Sequence, residues 1–367
     1  MAKKTRISIL YNQPVSGTGE VERQYINEKG VLGDVPQIRR GEKFSMRELI
    51  DMSEVGVVEE MDDIKDALNS IGYKTTVFNV DSDVFRMIDY LRAEKPDIIF
   101  NLVESVENQS IHEMHIAGLF ELMKIPYTGA GPMALGLALN KPRVKELLLY
   151  HGIRTPLFKE FRPADKVAQC ELSFPMIVKP SREDASVGID DRSVVCNLNE
   201  LRRRVRYIIE EFGQPALVEE YVDGRELNVA ILGSLDPIVL PISEIDFSGL
   251  TPAMHKIVSY EAKWIPGTVA FQGTKGVCPA VLHPRLENEI RTMAMRCFRL
   301  IGCRDYARVD FRLSADGTPY VLEINPNPDI SEDAGFARST RTFGLKYPEA
   351  IGKIVESALA RARAIQE

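Results

Sequence analysis

Cysteine is scarce in this sequence and is not arranged for a metal site or a disulfide framework. The five cysteines are odd in number and include no CxxC pair, so the pattern predicts reduced thiols in a cytoplasmic protein. They are Cys170, Cys196, Cys278, Cys297 and Cys303.

Long apolar runs and an excess of positive charge are also missing. No stretch approaches the roughly 20 residues of a membrane span, and the apolar run at residues 7–10 is too short for a secretion signal. The net charge is −7 and there is no large basic block, so we expect neither a nucleic-acid nor a membrane partner. The 367 residues, of which 44% are hydrophobic, are enough for two or three domains with substantial cores.

The first third of the chain alternates between strand and helix patterns. These patterns cover residues 6–11 (strand), 54–71 (helix), 74–80 (strand), 82–94 (helix), 97–103 (strand) and about 110–123 (helix). Their order predicts an α/β domain with a parallel sheet and helices on both faces. The stretch 13–53 is rich in glycine and charge, and we expect an insertion of unknown role there, for which a lid is one option.

The rest of the chain has a mixed α+β pattern. A helix after residue 132 has a break near Asn140, and residues 225–283 are expected to be mostly strands and long loops. Further strands are predicted at 174–180 and 216–221, and further helices at 199–212, at 284–301 and at the end of the chain.

Two alternating runs near the C-terminus predict a hairpin with an acidic face. Asp316-Gly317 is a strong turn signal between them. Asp310 points away from the face of its apolar neighbours, and Glu323 and Asn325 share one face of the second strand. Two carboxylates and an amide oxygen suit Mg²⁺, with Mn²⁺ as an alternative metal. The alternative is a solvated polar face on an edge hairpin.

Three further features are compatible with phosphate and nucleotide binding, although each is weak alone. Lys179 ends an apolar strand, where its ammonium is either a phosphate contact or an ordinary surface charge. The small polar loop 181–188 could fold its amides over phosphates. The strand end at Glu219 could contact an adenine edge, with Glu226 reaching a ribose.

From about residue 97 to its end, the chain resembles the ATP-grasp superfamily and, within it, the D-alanine–D-alanine ligase family. The resemblance is carried, in order, by Pro126-Tyr127-Thr128-Gly129, Asn140-Lys141, Ile177-Val178-Lys179-Pro180-Ser181-Arg182-Glu183, Ser186-Val187-Gly188, Val218-Glu219-Glu220-Tyr221, Glu226, Tyr260-Glu261-Ala262-Lys263, Arg308-Val309-Asp310 and Leu322-Glu323-Ile324-Asn325.

This resemblance implies a three-domain ATP-grasp fold with ATP between the last two domains. The domains would be residues 1–133, an N-terminal α/β domain with the insertion at 13–53, then 134–222 and 223–367, the last with the metal site. The implied reaction joins a carboxylate to an amine through an acylphosphate and needs no Ser, Cys or His nucleophile. Relatives suggest a homodimer formed through the N-terminal domain.

The resemblance also implies a role for individual residues. Lys141, Lys179 and Lys263 would contact the phosphates, and Arg308 would stabilise the oxyanion of the activated carbonyl; the expected catalytic residues are Arg308, Lys263 and Lys179. Asp310, Glu323 and Asn325 would hold two Mg²⁺ ions. The remaining nucleotide contacts would be Glu183, Ser186, Glu219, Glu220, Tyr221, Val222, Glu226 and Leu322.

The chain departs from the family pattern where the family binds its amino acids. Tyr11-Asn12-Gln13-Pro14-Val15 replaces a glycine-rich loop whose Glu holds the first ammonium, and Asn101 to Ser110 replaces a second motif. The family's Glu, Ser and Tyr form a hydrogen-bonded link over the first D-alanine. The Ser and Tyr positions are Ala185 and Trp264 here, so all three members of that link look absent. Ala334 and Gly335 occupy the positions of a Ser-Leu pair that holds the second carboxylate.

We therefore expect a carboxylate–amine ligase with a substrate pair other than two D-alanines. The acids near residue 330 would suit an amine with extra positive charge or without a carboxylate, unless they form a solvated loop. The candidate substrate contacts are Glu104, Trp264, Asp329, Ser331 and Glu332. Two alternatives remain open, a true D-alanine–D-alanine ligase and a nucleotide-binding protein without ligase chemistry.

Overall fold

The computed structural model describes residues 4–12, 46–81, 83–107, 109–163 and 165–366. Its first elements are β1 (Arg6–Tyr11), α1 (Met46–Ser70), β2 (Lys74–Asn79), α2 (Val84–Glu94), β3 (Ile98–Leu102) and α3 (His112–Leu122). β1 lies between β2 and β3 and is parallel to both. The predicted parallel sheet is confirmed.

Helix α1 begins earlier than the sequence pattern indicated. The predicted start at residue 54 is wrong, because residues 46–53 already belong to the helix instead of to the expected insertion. Met46, Arg47, Glu48 and Leu49 are all good helix formers, so the helix extends through them. The rest of that stretch, residues 13–45, lies outside the described residues.

The middle of the chain forms an antiparallel sheet with its own helix. Its elements are α4 (Pro132–Leu139), α5 (Lys141–Tyr150), β4 (Phe158–Phe161), β5 (Met176–Pro180), β6 (Val194–Val195), α6 (Leu198–Phe212) and β7 (Ala216–Glu220). The strand order is β4-β7-β5-β6. The predicted break at Asn140 is confirmed, because Asn140 ends α4 and its side chain accepts a hydrogen bond from Arg143 N at the start of α5.

The last part of the chain builds a larger antiparallel sheet. Its elements are β8 (Gly224–Leu232), β9 (Ile238–Val239), β10 (Ser243–Asp246), α7 (Tyr260–Trp264), α8 (Val269–Gly273), β11 (Lys275–Val277), α9 (Pro284–Ile301), β12 (Tyr306–Ser314), β13 (Pro319–Asn325), α10 (Gly335–Phe343) and α11 (Tyr347–Gln366). The order is β11-β10-β8-β12-β13, and β9 pairs with β8.

The expectation of mostly strands and long loops between residues 225 and 283 did not include any helix. Two one-turn helices, α7 and α8, interrupt this region. Ser259 and Thr268 start them, since each hydroxyl accepts a hydrogen bond from the amide three residues later. These cap signals were present in the sequence, but helices this short carry no periodicity to detect.

The first and last sheets share hydrophobic cores, whereas the middle sheet has a core of its own. Ile7 and Ile9 of β1 belong to the same buried cluster as Leu232 of β8 and Tyr306 of β12. The middle sheet packs on α6 through a separate set of residues. The predicted domain boundaries at 133 and 222 stay predictions. Among the described residues, no helix is long and apolar enough to span a membrane.

A buried carboxylate connects distant segments in the part of the molecule where the first and last sheets share hydrophobic cores. Asp305, which is fully buried before β12, accepts hydrogen bonds from Gly129 N (3.0 Å), Ser234 Oγ (2.5 Å) and Arg361 Nη2 (2.8 Å). These donors come from three distant parts of the chain. Since a buried charge is stabilising only when its oxygens are satisfied, Asp305 fixes these segments against one another.

Candidate functional site

The acidic hairpin forms with the predicted register. Asp310 of β12 lies opposite Glu323 of β13, and Arg308 lies opposite Asn325, with a register shift just after Asp310. Gly317 has a φ of +84°, which the turn at Asp316-Gly317 requires. The hairpin therefore brings Asp310, Glu323 and Asn325 to one surface, together with Arg308.

Asp310 is surrounded by donors on both oxygens. The Arg308 guanidinium donates to Oδ1 at 2.8 Å and to Oδ2 at 2.9 Å. Asn228, which faces Asp310 from β8, donates to Oδ1 at 2.7 Å, and Asn325 donates to Oδ2 at 3.0 Å. Burial alone would lower the pKa of Arg308, but the Asp310 carboxylate outweighs it and raises that pKa.

Lysines from other elements converge on Glu323. Lys141, at the start of α5, has its Nζ 3.4 Å from Glu323 Oε2 and 2.5 Å from Asp184 Oδ1. Burial alone would raise the pKa of the Glu323 carboxyl, but Lys141, Lys179, Arg308 and Lys263 lower it to about 2. Glu323 is therefore ionised at any physiological pH. We call Lys141, Lys179, Lys263, Arg308, Asp310, Glu323 and Asn325 the hairpin cluster.

Lys145 is a buried residue of this region that the sequence analysis missed. Its Nζ lies 3.0 Å from Glu219 Oε1, and Lys179 Nζ lies 3.0 Å from Glu219 Oε2, so one carboxylate holds two lysines. Lys145 also donates to Thr155 Oγ1 at 2.6 Å. Burial lowers its pKa to about 8, against the opposing pull of Glu219. Its place four residues after Lys141, on the same face of α5, was an available signal.

The predicted metal ligands fit Mg²⁺ by the chemistry of their donors. Asp310 and Glu323 face each other across one strand pair and supply hard carboxylate oxygens. The Asn325 amide directs its nitrogen at both carboxylates, and half a turn of that amide puts its oxygen there instead. In the described part of the chain, no group of three or more His, Cys, Asp or Glu residues forms a further metal cluster.

The predicted adenine and ribose contacts lie near the junction of the middle and last sheets. Glu220, Tyr221 and Val222 line a cavity of about 440 Å³, to which Pro156 and Tyr320 also contribute. Tyr221 donates through its hydroxyl to Lys256 O at 3.4 Å.

Two further predicted nucleotide contacts, Glu226 and Leu322, are not among the residues that line this cavity. Glu226 forms an ion pair with Arg312 at 3.1 Å, so a ribose hydroxyl would have to share its carboxylate. Leu322 is partly exposed on β13, immediately before Glu323.

The loop at residues 181–188 is fixed by hydrogen bonds. Ser186 Oγ donates to Val258 O at 2.9 Å, and the Glu183 carboxylate accepts from Gln214 Nε2 at 2.7 Å. Trp264 Nε1 donates to Ala185 O at 3.0 Å. Positions 185 and 264 are therefore in contact here, while the absence of the family's side-chain link stays a prediction. The tryptophan uses a backbone carbonyl, which every residue type offers.

A second group of carboxylates lies next to the hairpin cluster. Glu60 of α1 accepts a hydrogen bond from Ile330 N at 2.9 Å, and Glu113 of α3 accepts one from Asn327 Nδ2 at 3.0 Å. The loop after β13 thus joins both helices. We call Glu60, Glu104, Glu113 and Asp329 the acidic cluster.

The carboxylates of the acidic cluster affect one another. Burial, followed by Asp329 and Glu104, raises the pKa of Glu60 well above its usual value. Burial, followed by Glu104, does the same to Glu113. Among the described residues, no lysine or arginine forms an ion pair with Glu60 or Glu113. The surroundings of Glu60 and Glu113 therefore disfavour the ionised forms of both carboxyls.

The predicted substrate residues are divided between two places. Glu104 and Asp329 belong to the acidic cluster, and Trp264 contacts the 181–188 loop. Ser331 donates through Oγ to Asp329 Oδ1 at 2.6 Å, and Glu332 is exposed in the same loop. The sequence analysis missed Glu60 and Glu113. For Glu60, a charge inside the buried stripe of Val57, Met61 and Ile64 was an available signal.

The sequence is similar to known proteins of one family. A family model described as D-ala D-ala ligase C-terminus matches residues 148–356. An uncharacterized protein, y4sG, of Sinorhizobium fredii is 33% identical over 82% of this chain and 87% of its own length. A D-alanine–D-alanine ligase of Syntrophotalea carbinolica is 30% identical over 81% of this chain and 90% of its own length.

Solved structures show the same fold at low sequence identity. The D-alanine–D-alanine ligase of Bacillus anthracis complexed with ATP superposes with a TM-score of 0.70 and 19% identity, over 98% of this chain and 99% of that one. The corresponding ligase of Coxiella burnetii gives 0.67 and 18%, over 100% and 97%. The predicted ATP-grasp fold is confirmed.

Proposed function

The chain belongs to the D-alanine–D-alanine ligase family of ATP-grasp enzymes, and we propose from this premise that it joins a carboxylate to an amine with a substrate pair other than two D-alanines. ATP would phosphorylate the carboxylate, and the amine would then displace phosphate from the acylphosphate. The products are an amide, ADP and phosphate, so that atoms and charges balance.

The hairpin cluster is the observation that carries the proposal. It gathers basic side chains around two carboxylates that face each other on neighbouring strands. Phosphoryl transfer and the later attack on a carbonyl both concentrate negative charge, which fixed cations stabilise without reorganising. A protein that only bound nucleotide would not need Arg308 beside the carboxylates.

Individual side chains support the steps as follows. Lys141 and Lys179 are buried with their ammonium groups held by carboxylates, so they are aimed before phosphates arrive. Arg308 would leave Asp310 to hold the oxyanion of the activated carbonyl, while Lys263 would contact the transferred phosphate. Glu183, Ser186, Glu219, Glu220, Tyr221, Val222, Glu226 and Leu322 would surround the nucleotide.

Asp310, Glu323 and Asn325 would hold Mg²⁺. The bound ions would neutralise phosphate charge and polarise the phosphoryl oxygens. Both oxygens of Asp310 accept hydrogen bonds from Arg308, Asn228 and Asn325, so at least one of these donors would have to turn away for a metal to bind. Release by Arg308 would also free its guanidinium for the carbonyl oxygen.

The acidic cluster supports a substrate other than D-alanine. Burial and the nearby Glu104 disfavour the ionised forms of Glu60 and Glu113, and a cationic group bound beside either carboxyl would favour its ionised form. Ala185, Ala334 and Gly335 offer no side-chain hydroxyl for an amino-acid substrate. We infer that one substrate carries positive charge in addition to its reacting group.

The test is a matrix of carboxylates and amines assayed for ADP release with Mg·ATP. The matrix includes D-alanine, neutral amines and diamines, each with neutral and amino-bearing carboxylates. Turnover with a cationic partner, and none with D-alanine alone, is the expected result. Turnover with D-alanine near a typical roughly 10 s⁻¹ would instead support the cell-wall ligase named among the relatives.

A homodimer is part of the same proposal. Phe85, Leu122 and Met133 are each more than three-quarters exposed and flank an apolar hollow of about 770 Å³ between α2, α3 and α4. Patches of this kind on a domain surface commonly mark a protein interface. Light scattering should give twice the chain mass of 41.2 kDa for the wild type and the mass of a single chain for Leu122→Lys.

A further inference from the structure

The carboxyl ends of β1 and β3 lie side by side at a point where the order of the first sheet reverses direction. The strand order is β2-β1-β3, so the chain continues from β1 to one side of it and later returns as β3 on the other side. A crevice forms outside the carboxyl ends of parallel strands at such a point, and ligands of open α/β sheets commonly bind there. The last pair in the register of the two strands is Tyr11 with Leu102. Asn12 and residues 103–105, which follow that pair, therefore border this crevice.

Asn12 extends the pairing of β1 with β3 through its side chain. Its Oδ1 accepts hydrogen bonds from Glu104 N at 2.8 Å and from Ser105 N at 3.3 Å, and its Nδ2 donates to Ser105 Oγ at 2.9 Å. Since only the amide oxygen can accept from backbone N–H groups, these bonds also fix which way the Asn12 amide faces. Asn12 and Ser105 are both buried, so water does not compete for the contacts. One side chain thus holds the backbone at Glu104.

Glu104 is the carboxylate that this arrangement places. It is exposed, and its charge raises the pKa of Glu60 on α1 and the pKa of Glu113 on α3. Its carboxylate therefore lies within electrostatic reach of two separate helices. The chain after it is fixed as well, because Val106 and Gln109 exchange backbone hydrogen bonds of 3.4 and 3.1 Å. The backbone that carries Glu104 is thus held on both sides.

We propose that Asn12 is a positioning residue that fixes the Glu104 carboxylate for binding the positively charged group of the substrate. The inference rests on the proposed function, since it takes the acidic cluster to receive that group. A carboxylate on an unrestrained loop would have to be ordered when the cation binds, and that ordering weakens binding. The three hydrogen bonds of Asn12 order the loop beforehand. Asn12 acts on the cation through Glu104.

The end of β2 offers a matched control. Asn79 is the last residue of β2, and its Oδ1 accepts a hydrogen bond from Asp81 N at 3.1 Å. Since β1 separates β2 from β3, Asn79 lies away from the crevice between β1 and β3. Asn79→Ala therefore removes a similar contact at the carboxyl end of a neighbouring strand without altering the support of Glu104.

The experiment measures by calorimetry how the full chain binds 1,4-diaminobutane and the uncharged 1,4-butanediol. The wild type should bind the diamine more tightly than the diol. Asn12→Ala should raise the Kd of the diamine about ten-fold and leave the weak binding of the diol unchanged, because only the diamine uses the carboxylate. A non-hydrolysable ATP analogue should bind this variant as it binds the wild type, which shows that the fold is intact. Asn79→Ala should keep the wild-type preference for the diamine.

A double-mutant cycle tests whether Asn12 acts through Glu104. Glu104→Gln should itself remove most of the preference for the diamine, and adding Asn12→Ala to it should cause no further loss. A merely structural role of Asn12 would weaken diamine binding equally in both backgrounds. Ser105→Ala breaks only the hydrogen bond from Asn12 Nδ2 and should raise the Kd of the diamine about two-fold. It provides the test if Asn12→Ala does not fold.

Three results would overturn the positioning role alone. They are an unchanged preference for the diamine in Asn12→Ala, equal losses in the two backgrounds of the cycle, and, where Asn12→Ala does not fold, no change in Ser105→Ala. If the wild type binds the diamine no better than the diol, the cationic substrate of the proposed function fails, and this inference fails with it.

Discussion

The hairpin cluster and the acidic cluster are neighbours with opposite charge balance. In the hairpin cluster, Asp310 and Glu323 are each met by basic side chains, and the pKa of Glu323 falls to about 2 even though burial alone would raise it. In the acidic cluster, burial and nearby carboxylates raise the pKa values of Glu60 and Glu113. In the hairpin cluster the carboxylates are already paired with basic groups without a ligand. In the acidic cluster the ionised forms of Glu60 and Glu113 are disfavoured, and a bound positive charge would favour them. The difference places the expected specificity in the acidic cluster.

The largest expected effect comes from removing a carboxylate of the hairpin cluster, where basic side chains offset the negative charge. Glu323→Ala removes a metal ligand and the carboxylate partner of Lys141, and turnover should fall by at least roughly 10²- to 10³-fold. Nucleotide binding without Mg²⁺ should be weakened but measurable, because the remaining basic groups stay. Steady-state ADP release and calorimetry give the two values.

Glu287→Ala is the matched control, since it removes a glutamate that is paired with Arg291 on α9. It should leave turnover unchanged. Activity of Glu323→Ala close to that of this control would remove the metal assignment.

The next largest effect tests whether hydrogen bonds and ion pairs are what make a buried carboxylate favourable for stability. Asp305 is fully buried but has hydrogen bonds on both oxygens, one of them from Arg361. Asp305→Asn replaces an acceptor oxygen by a donor, so the free energy of unfolding should fall by about 3 kcal/mol. Urea titration followed by circular dichroism measures the loss.

The matched comparison is Asp97→Asn, whose carboxylate accepts from Arg6 N and is about one-third exposed. Removing a partly exposed pair of this kind should cost about 1 kcal/mol or less. Equal losses in the two variants would mean that compensation within the core has little influence on stability.

The hairpin that carries Arg308, Asp310, Glu323 and Asn325 was largely predictable because its geometry is local. Alternation at a period of two residues, together with Asp316-Gly317, fixes which side chains share a face. Lys179 was also predictable, as the polar end of an apolar strand. Lys145 was missed because its partner, Glu219, lies on a strand that only the tertiary fold brings near α5.

The acidic cluster was only half predictable, for a different reason. Glu60 and Glu113 lie on helices that are far apart in sequence, and each accepts a hydrogen bond from the loop after β13, which only the tertiary fold brings to them. Periodicity assigns a residue to a face of a helix but does not say what covers that face. The Trp264 link escaped prediction because its acceptor is a backbone carbonyl, which no residue type identifies.

The smallest expected effect comes from a substitution in the acidic cluster, at Glu60. The raised pKa of Glu60 means that its favourable contribution to stability is complete below the usual glutamate pKa and is lost as the pH rises through the folded value. Above the usual glutamate pKa, the buried Glu60 carboxyl therefore lowers the stability of the fold relative to a neutral residue. Glu60→Gln keeps an oxygen for Ile330 N and removes the charge, so it should stabilise the protein by about 1 kcal/mol near pH 8.

The pH dependence separates this gain from a general effect of the substitution. The difference in melting temperature between Glu60→Gln and the wild type should be close to zero near pH 4 and should grow towards pH 8. Glu59→Gln, at the exposed neighbouring position, should show no such growth. A gain of equal size at both pH values would mean that Glu60 is not strained by its charge. In that case the acidic cluster would lose its argument for a cationic substrate, even if the hairpin cluster kept its ligase chemistry.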